Sequence, residues 1–237
     1  MPITTKQTKK LIPELRFPEF SGEWEEKKLG EICDVKGGKR IPKGYSLQKK
    51  SNDNPYITVS DMENHTVSLK NIQYVPEEVV QKIQKYTISS DDLFISVAGT
   101  LGRVGKIPKE LEAANINENA DKMTKLRVNQ DFLLYLLSGS VLKKLIQSTR
   151  TESAQPKLAI YALVSLKIII PSEKEQQKIA SFLTTIDNWI NTLRSQKEQF
   201  EQYKKGMMQK IFSQEIRFRD DDGKEFPEWE ERKIHNI

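Results

Sequence analysis

From Ile179 to Met207 the chain carries apolar residues at seven-residue intervals. One column is Ile179, Ile186, Leu193, Phe200 and Met207; the other is Phe182, Trp189, Gln196, Tyr203 and Lys210. This spacing is the seam of a coiled coil, because a helix lying on a globule shows a wider apolar stripe. Ser172, just after Pro171, can cap the helix, and Glu175 three residues on completes a capping box. About 41 residues, Ser172 to Phe212, then predict a rod of roughly 60 Å. A Trp, two Phe and a Tyr are too much apolar surface to leave in water, so the seam calls for a covering helix. That helix is either a second one in a longer chain or the same one in another copy. A long helix packed on its own domain is the remaining alternative.

The two ends of the chain echo each other. Glu14-Leu15-Arg16-Phe17 with Trp24-Glu25-Glu26-Lys27-Lys28-Leu29 is answered by Glu215-Ile216-Arg217-Phe218 with Trp229-Glu230-Glu231-Arg232-Lys233-Ile234. The pairs Trp24/Trp229, Leu29/Ile234 and Ile32/Ile237 share one offset of 205 residues. Self-similarity at a fixed offset marks a repeated structural unit, here a whole domain with its spacer. The expected organisation is an N-terminal tail at 1–13, a globular domain at 14–171, the long helix at 172–212, and the opening of a second unit at 213–237.

Within the globular part, Tyr56 to Val59 and Leu93 to Val97 are β-branched or aromatic runs bounded by turn residues. Gly37-Gly38, Gly44, Gly99, Gly102 and Gly105 punctuate them. Phe132 to Ser148 shows helical spacing in Leu133, Leu136, Leu137, Leu142 and Leu145, and Leu166 to Ile170 looks like a closing strand stopped by Pro171. The fold class is therefore α/β (α+β): a mixed globular domain followed by one long coiled-coil helix.

Composition narrows the chemistry. Lys and Arg total 38 against 33 acidic residues, a net charge of +5 with a pI near 9.0, which suits a polyanion such as nucleic acid and equally an ordinary basic protein. Cys33 is the single cysteine, so neither an internal disulfide nor a thiolate metal cage can form, and His65 and His235 lack ligand spacing. No apolar run follows Lys6, Lys9 and Lys10, so no signal peptide is expected, and no stretch approaches the ~20 apolar residues of a membrane span. A reducing, cytoplasmic setting follows, with no membrane contact.

Three motifs fall short of catalysis. Asp53-Asn54-Pro55-Tyr56 is one proline short of an amino-methyltransferase loop and has no Gly-rich cofactor turn at fingerprint spacing. Gly99 to Lys106 is one residue too long for a phosphate loop and has Ile107 where Ser or Thr should bind magnesium. Asp220-Asp221-Asp222-Gly223 lacks the remaining ligands of a calcium loop. No catalytic residue, metal or cofactor is expected.

Binding chemistry remains. Lys36, Lys39, Arg40, Lys43, Lys49 and Lys50 gather six cations around flexible glycines, with Asn52 beside them. Cations there can hold phosphates, while Arg and Asn can reach base edges. Thr100, Arg103, Asn115, Asn117, Gln155 and Lys157 are further candidates in expected loops.

Taken in order, four segments resemble one family: the specificity subunit of type I restriction-modification enzymes. Trp24 to Ile32 resembles the opening of its target-recognition domain, and Asp91 to Gly105 its central strand and Gly-Thr turn. Ser153, Gln155 and Leu158 resemble the segment ending that domain, and Ile168 to Pro171 with Glu175 to Leu183 the start of its spacer helix. The resemblance implies two recognition domains in tandem, each followed by a long helix, with the helices antiparallel and the domains reading two half-sites of duplex DNA. It implies docked methyltransferase subunits acting on adenine with S-adenosylmethionine, ATP-driven restriction subunits, and no chemistry in the specificity subunit itself. This sequence carries one such domain. Either it is a half subunit that forms a homodimer through Ile179, Phe182, Ile186, Trp189, Leu193, Phe200, Tyr203 and Met207 and reads a palindromic bipartite site, or it is a fragment of a longer gene. The uncovered seam favours the dimer. A non-catalytic coiled-coil adaptor and another kind of sequence-specific DNA-binding protein are the alternatives.

Overall fold

A computed structural model describes residues 11–63, 65–149 and 157–230. They fall into two compact units, Met1–Thr184 and Thr185–Ile237.

The first unit is tied by its own ends. β1 (Glu25–Lys28) pairs antiparallel with β10 (Lys167–Ile170), Glu25 opposite Ile170 and Lys28 opposite Lys167. After the single turn α1 (Leu29–Ile32), β2 (Asp34–Gly37) enters an antiparallel sheet ordered β2-β9-β6-β7, with β6 at Leu93–Ser96, β7 at Val104–Gly105 and β9 at Ala120–Thr124. A second sheet is ordered β4-β3-β8-β5, with β3 at Pro55–Ile57, β4 at Gln73–Tyr74, β5 at Thr87–Ser89 and β8 at Ala113–Ile116. Its β3–β8 pair is parallel and its other pairs antiparallel.

β6 is buried along its whole length because both of its faces are covered. Leu93 and Ile95 face a core shared with the helices, while Phe94 between them faces the second sheet. The helix-side core also takes Leu29, Met123, Leu163, Ile168 and Ala180, and the inter-sheet core takes Ile57, Met62, Ile88 and Ile116. A third cluster, Tyr56, Val75, Val79 and Ile83, lies under α2 (Glu77–Ile83).

The helix expected over Phe132 to Ser148 is two helices, α3 (Gln130–Ser138) and α4 (Ser140–Thr149). They part at Gly139, whose backbone (φ −82°, ψ −155°) leaves the helical region. Asn129 caps α3 by accepting from Phe132 N at 2.9 Å. The short α5 (Ile160–Val164) packs against α1, where Val164 Cγ1 comes so close to Gly30 that a Cβ there would lie 2.6 Å away.

The long helix, α6 (Glu173–Phe212), begins inside the first unit. Glu175 and Gln176 on its first turns are buried. Gln176 Nε2 donates to Pro171 O, and its Oε1 accepts from Asn129 N, both at 2.9 Å. The expected capping box gives way to a longer-range contact. The Glu175 carboxylate accepts from Arg16 Nε at 2.8 Å, from the Arg16 terminal nitrogen at 2.7 Å, and from Trp24 Nε1 at 3.3 Å. Arg16 also clasps its own segment, donating to Gly22 O at 2.6 Å and Ser21 O at 3.1 Å. Phe17 meets Phe182 edge-on, with centroids 5.8 Å apart, and Lys178 bridges to Glu19 at 3.3 Å. Residues 16–24 thus form a strap across the start of α6. Ile179 packs against the helix-side core, so the first seam positions serve the domain.

The second unit holds the rest of α6 and a hairpin-like tail. Trp189, Leu193, Phe200 and Tyr203 are each more than three-fifths exposed; Ile186 and Met207 are half-buried. After the helix, Arg219 bridges to Glu225 around a turn at Asp220–Gly223, where Asp220 Oδ1 accepts from the backbone of Asp222 and Lys224. Arg217 donates to Phe226 O and Pro227 O, each at 2.6 Å. Residues 231–237 of the echo lie outside the described residues. Among the described residues, no helix is long and apolar enough to cross a membrane.

Candidate nucleic-acid interface

The loop leaving β2 is pinned by its backbone. Gly38 N donates to Ala120 O at 2.8 Å and Lys39 N to Ile116 O at 2.9 Å. A Cβ on Gly38 would stand 2.1 Å from Asn117 O and 2.6 Å from Ile116 O, so only glycine permits the approach. Tyr56, whose phenol burial pushes up to about 12, stays protonated and donates to Lys39 O at 2.8 Å. The side chains of Lys39, Arg40 and Lys43 are exposed.

A second segment then meets this loop. Lys39 Nζ lies 5.8 Å from the Tyr86 ring centroid and Lys85 Nζ 5.3 Å from the same ring. Lys82 Nζ stands 4.9 Å over Tyr45 and donates to its hydroxyl at 3.3 Å. Lys122, opposite Lys36 in the β2–β9 pair, directs its ammonium to Lys85 O and Thr87 O, and burial holds its pKa below the usual lysine range. The result is a face of lysines interleaved with tyrosines, the composition that holds phosphates and offers flat rings to bases. Arg40 donates through Nε to Glu118 at 2.6 Å, which raises its pKa, yet its side chain is 77 % exposed. An exposed pair of this kind contributes little and can be exchanged for a phosphate.

Lys82, Lys85 and Tyr86 were not among the residues expected from sequence. A Lys-x-x-Lys-Tyr spacing was their only trace.

Other expected residues separate from this face or serve the fold. Arg103 is half-buried, and its guanidinium donates to Val59 O at 3.0 Å and Met62 O at 2.6 Å, bracing the turn after β3. Asn52 donates to Val75 O and accepts from Asn54 N, which commits its amide to the backbone. Lys50 shares a small hollow of about 210 Å³ with Glu77 and Glu78, which offset its charge. Asn115 and Asn117 are buried in and beside β8 rather than in open loops, because β8 is an inner strand of its sheet. Lys36, Lys49, Thr100 and Lys157 are exposed; Gln155 lies outside the described residues. Asp121, opposite Gly37, is 4 % exposed, and its Oδ2 meets no donor among the described residues. Burial pushes its carboxyl up to about 6 against the attraction of Lys157.

Residues 21–202, taking in this face and most of α6, match the family model of the type I restriction modification DNA specificity domain. The chain belongs to that family. The chain is 25 % identical over 205 residues to the type I restriction enzyme MjaVIII specificity subunit of Methanocaldococcus jannaschii, covering 84 % of this chain and 48 % of that one. It is 24 % identical over 225 residues to the MjaIX specificity subunit of the same organism, covering 91 % and 51 %. Among solved structures, the type I restriction-modification S subunit from M. genitalium has a TM-score of 0.59 at 17 % identity, covering 85 % of this chain and 48 % of that one. The HsdS subunit from Thermoanaerobacter tengcongensis has a TM-score of 0.54 at 20 % identity, covering 77 % and 41 %. These likenesses show the mixed α/β fold with its long helix. The chain spans about half the length of the curated relatives it matches.

Proposed function

We propose that this chain is a DNA-recognition component of a type I restriction-modification system. It holds duplex DNA and selects its sequence, while separate adenine methyltransferase and restriction subunits supply the chemistry in the cytoplasm. The observation that carries the reading is the convergence of Lys39 and Lys85, from distant segments, on one Tyr86 ring inside a DNA specificity domain. Lysines on that face would neutralise phosphates and set register, and side chains of the pinned loop would reach base edges. One domain reads one half-site. A second copy, paired through the exposed Trp189, Leu193, Phe200 and Tyr203 of α6, would read the same half-site in the opposite sense and make the target palindromic.

Selection from random duplexes tests this directly: the chain should enrich one short motif, with log K falling linearly with log salt. Affinity indifferent to salt, with no enriched sequence, would leave a coiled-coil adaptor as the better reading.

A further inference from the structure

The tail of the second unit repeats the strap of the first in its bonding as well as its letters. Arg16 clasps the carbonyls of Ser21 and Gly22, three and two residues before Trp24. Arg217 clasps those of Phe226 and Pro227, three and two residues before Trp229. The acidic turn at Asp220–Gly223 lengthens the loop without disturbing the clasp.

The two straps differ in what they lie on. Arg16 and Trp24 share the buried Glu175 carboxylate, and Phe17 sits against Phe182. No carboxylate among the described residues pairs with Arg217, Phe218 is 71 % exposed, and Trp229, although edge-on to Phe212, remains 53 % exposed. The tail is a formed strap that lacks the surface for which its residues are suited.

We infer that residues 215–229 dock on the start of α6, Glu175 to Phe182, of a second copy of this chain, exchanging with that copy's own strap at residues 16–24. The inference rests on the pairing of α6 between two copies proposed above, taken as antiparallel. A two-fold pairing centred on Leu193 sets Ile186 opposite Phe200 and Ile179 opposite Met207. The same register sets Ile211 opposite Glu175 and Glu215 opposite Pro171, delivering the tail of one copy to the helix start of the other. Exchange of equivalent elements between copies is a low-cost route to a closed dimer, and the paired helices would supply the effective concentration that lets the tail compete with the resident strap. Charge is complementary: Arg217 replaces Arg16 on Glu175, and Phe218 replaces Phe17 on Phe182.

Cross-linking between two full-length copies tests it. One copy carries Phe218→Cys and the other Phe182→Cys, joined by a short bis-maleimide; Cys33 is buried with its thiol pushed up to about 11 and does not compete. The expected result is a 1:1 cross-link that increases several-fold when the Phe182→Cys copy also carries Arg16→Ala, which frees its Glu175. The cross-link should be lost with Arg217→Glu in the other copy and recovered when Glu175→Arg faces that Arg217→Glu. A cross-link no stronger than from Ser213→Cys, or one indifferent to these charges, overturns the exchange. Light scattering on the same mixtures separates the two readings. A persistent dimer without the charge-dependent cross-link removes the strap exchange and leaves the helix pairing, whereas a monomer removes both.

Discussion

Lys39 and Lys85 share one aromatic ring, so each is held near the other despite their like charge, an arrangement that an incoming phosphate would relieve. Replacing either with alanine is expected to weaken duplex affinity and to lower the salt slope by about 1, uniformly across sequences, as titration at several salt concentrations would show. Arg40→Ala should do more if the guanidinium leaves Glu118 to read a base, costing roughly 1–3 kcal/mol for the selected motif and little for other duplexes. Asp121 supplies a prediction about stability. Its carboxyl holds a proton more tightly folded than unfolded, so its favourable contribution is complete below the ordinary value of 3.8 and is lost as pH rises through about 6. Asp121→Asn should therefore raise Tm at pH 7–8 and leave it nearly unchanged near pH 3.5, as calorimetry at the two pH values would reveal. The lysines of the β2 loop were legible as a cationic cluster, whereas Lys82, Lys85 and the orphaned Asp121 oxygen exist as features only once distant segments meet.

At the scale of elements, α6 serves two masters along its length. Its first turns belong to the domain through Glu175, Gln176, Ile179 and Phe182, and its later turns carry apolar residues into water. Substituting Ile186 and Leu193 with Asp is expected to abolish self-association while the first unit keeps its melting transition, because neither residue belongs to a buried core cluster. Comparing sedimentation with thermal unfolding would separate the two effects. The heptad pattern made the helix and its end at Phe212 plain. It could not show that Glu175 turns away from a capping box, because the competing donors, Arg16 and Trp24, lie more than 150 residues upstream. Gly139 likewise divides a run whose leucine spacing reads as one helix, since both halves bury their apolar faces in the same core.

For the whole molecule, the echo and the exposed later turns of α6 support the proposed pairing of two copies. In solution the chain should scatter light as twice the 27.4 kDa of a single copy, and its duplex target should be symmetric about its centre. A monomer that nonetheless selects a single asymmetric half-site would locate specificity in the domain and remove the symmetry.

By itself the sequence determined the features that rest on period and local chemistry: the seven-residue repeat, the echo between the two ends, the apolar run at Leu93 to Val97 and the family resemblance. Each depends on spacing along the chain, which needs no folding to be read. Tertiary structure alone decided which charges stand together. Lys82 and Lys85 joined the β2 loop, Arg103 and Asn52 turned inward to backbone carbonyls, and Glu175 became the anchor of the strap. The physical reason is that hydrogen bonds and cation–ring contacts depend on distances of a few ångströms, and those are set by how two sheets and a helix start pack against one another.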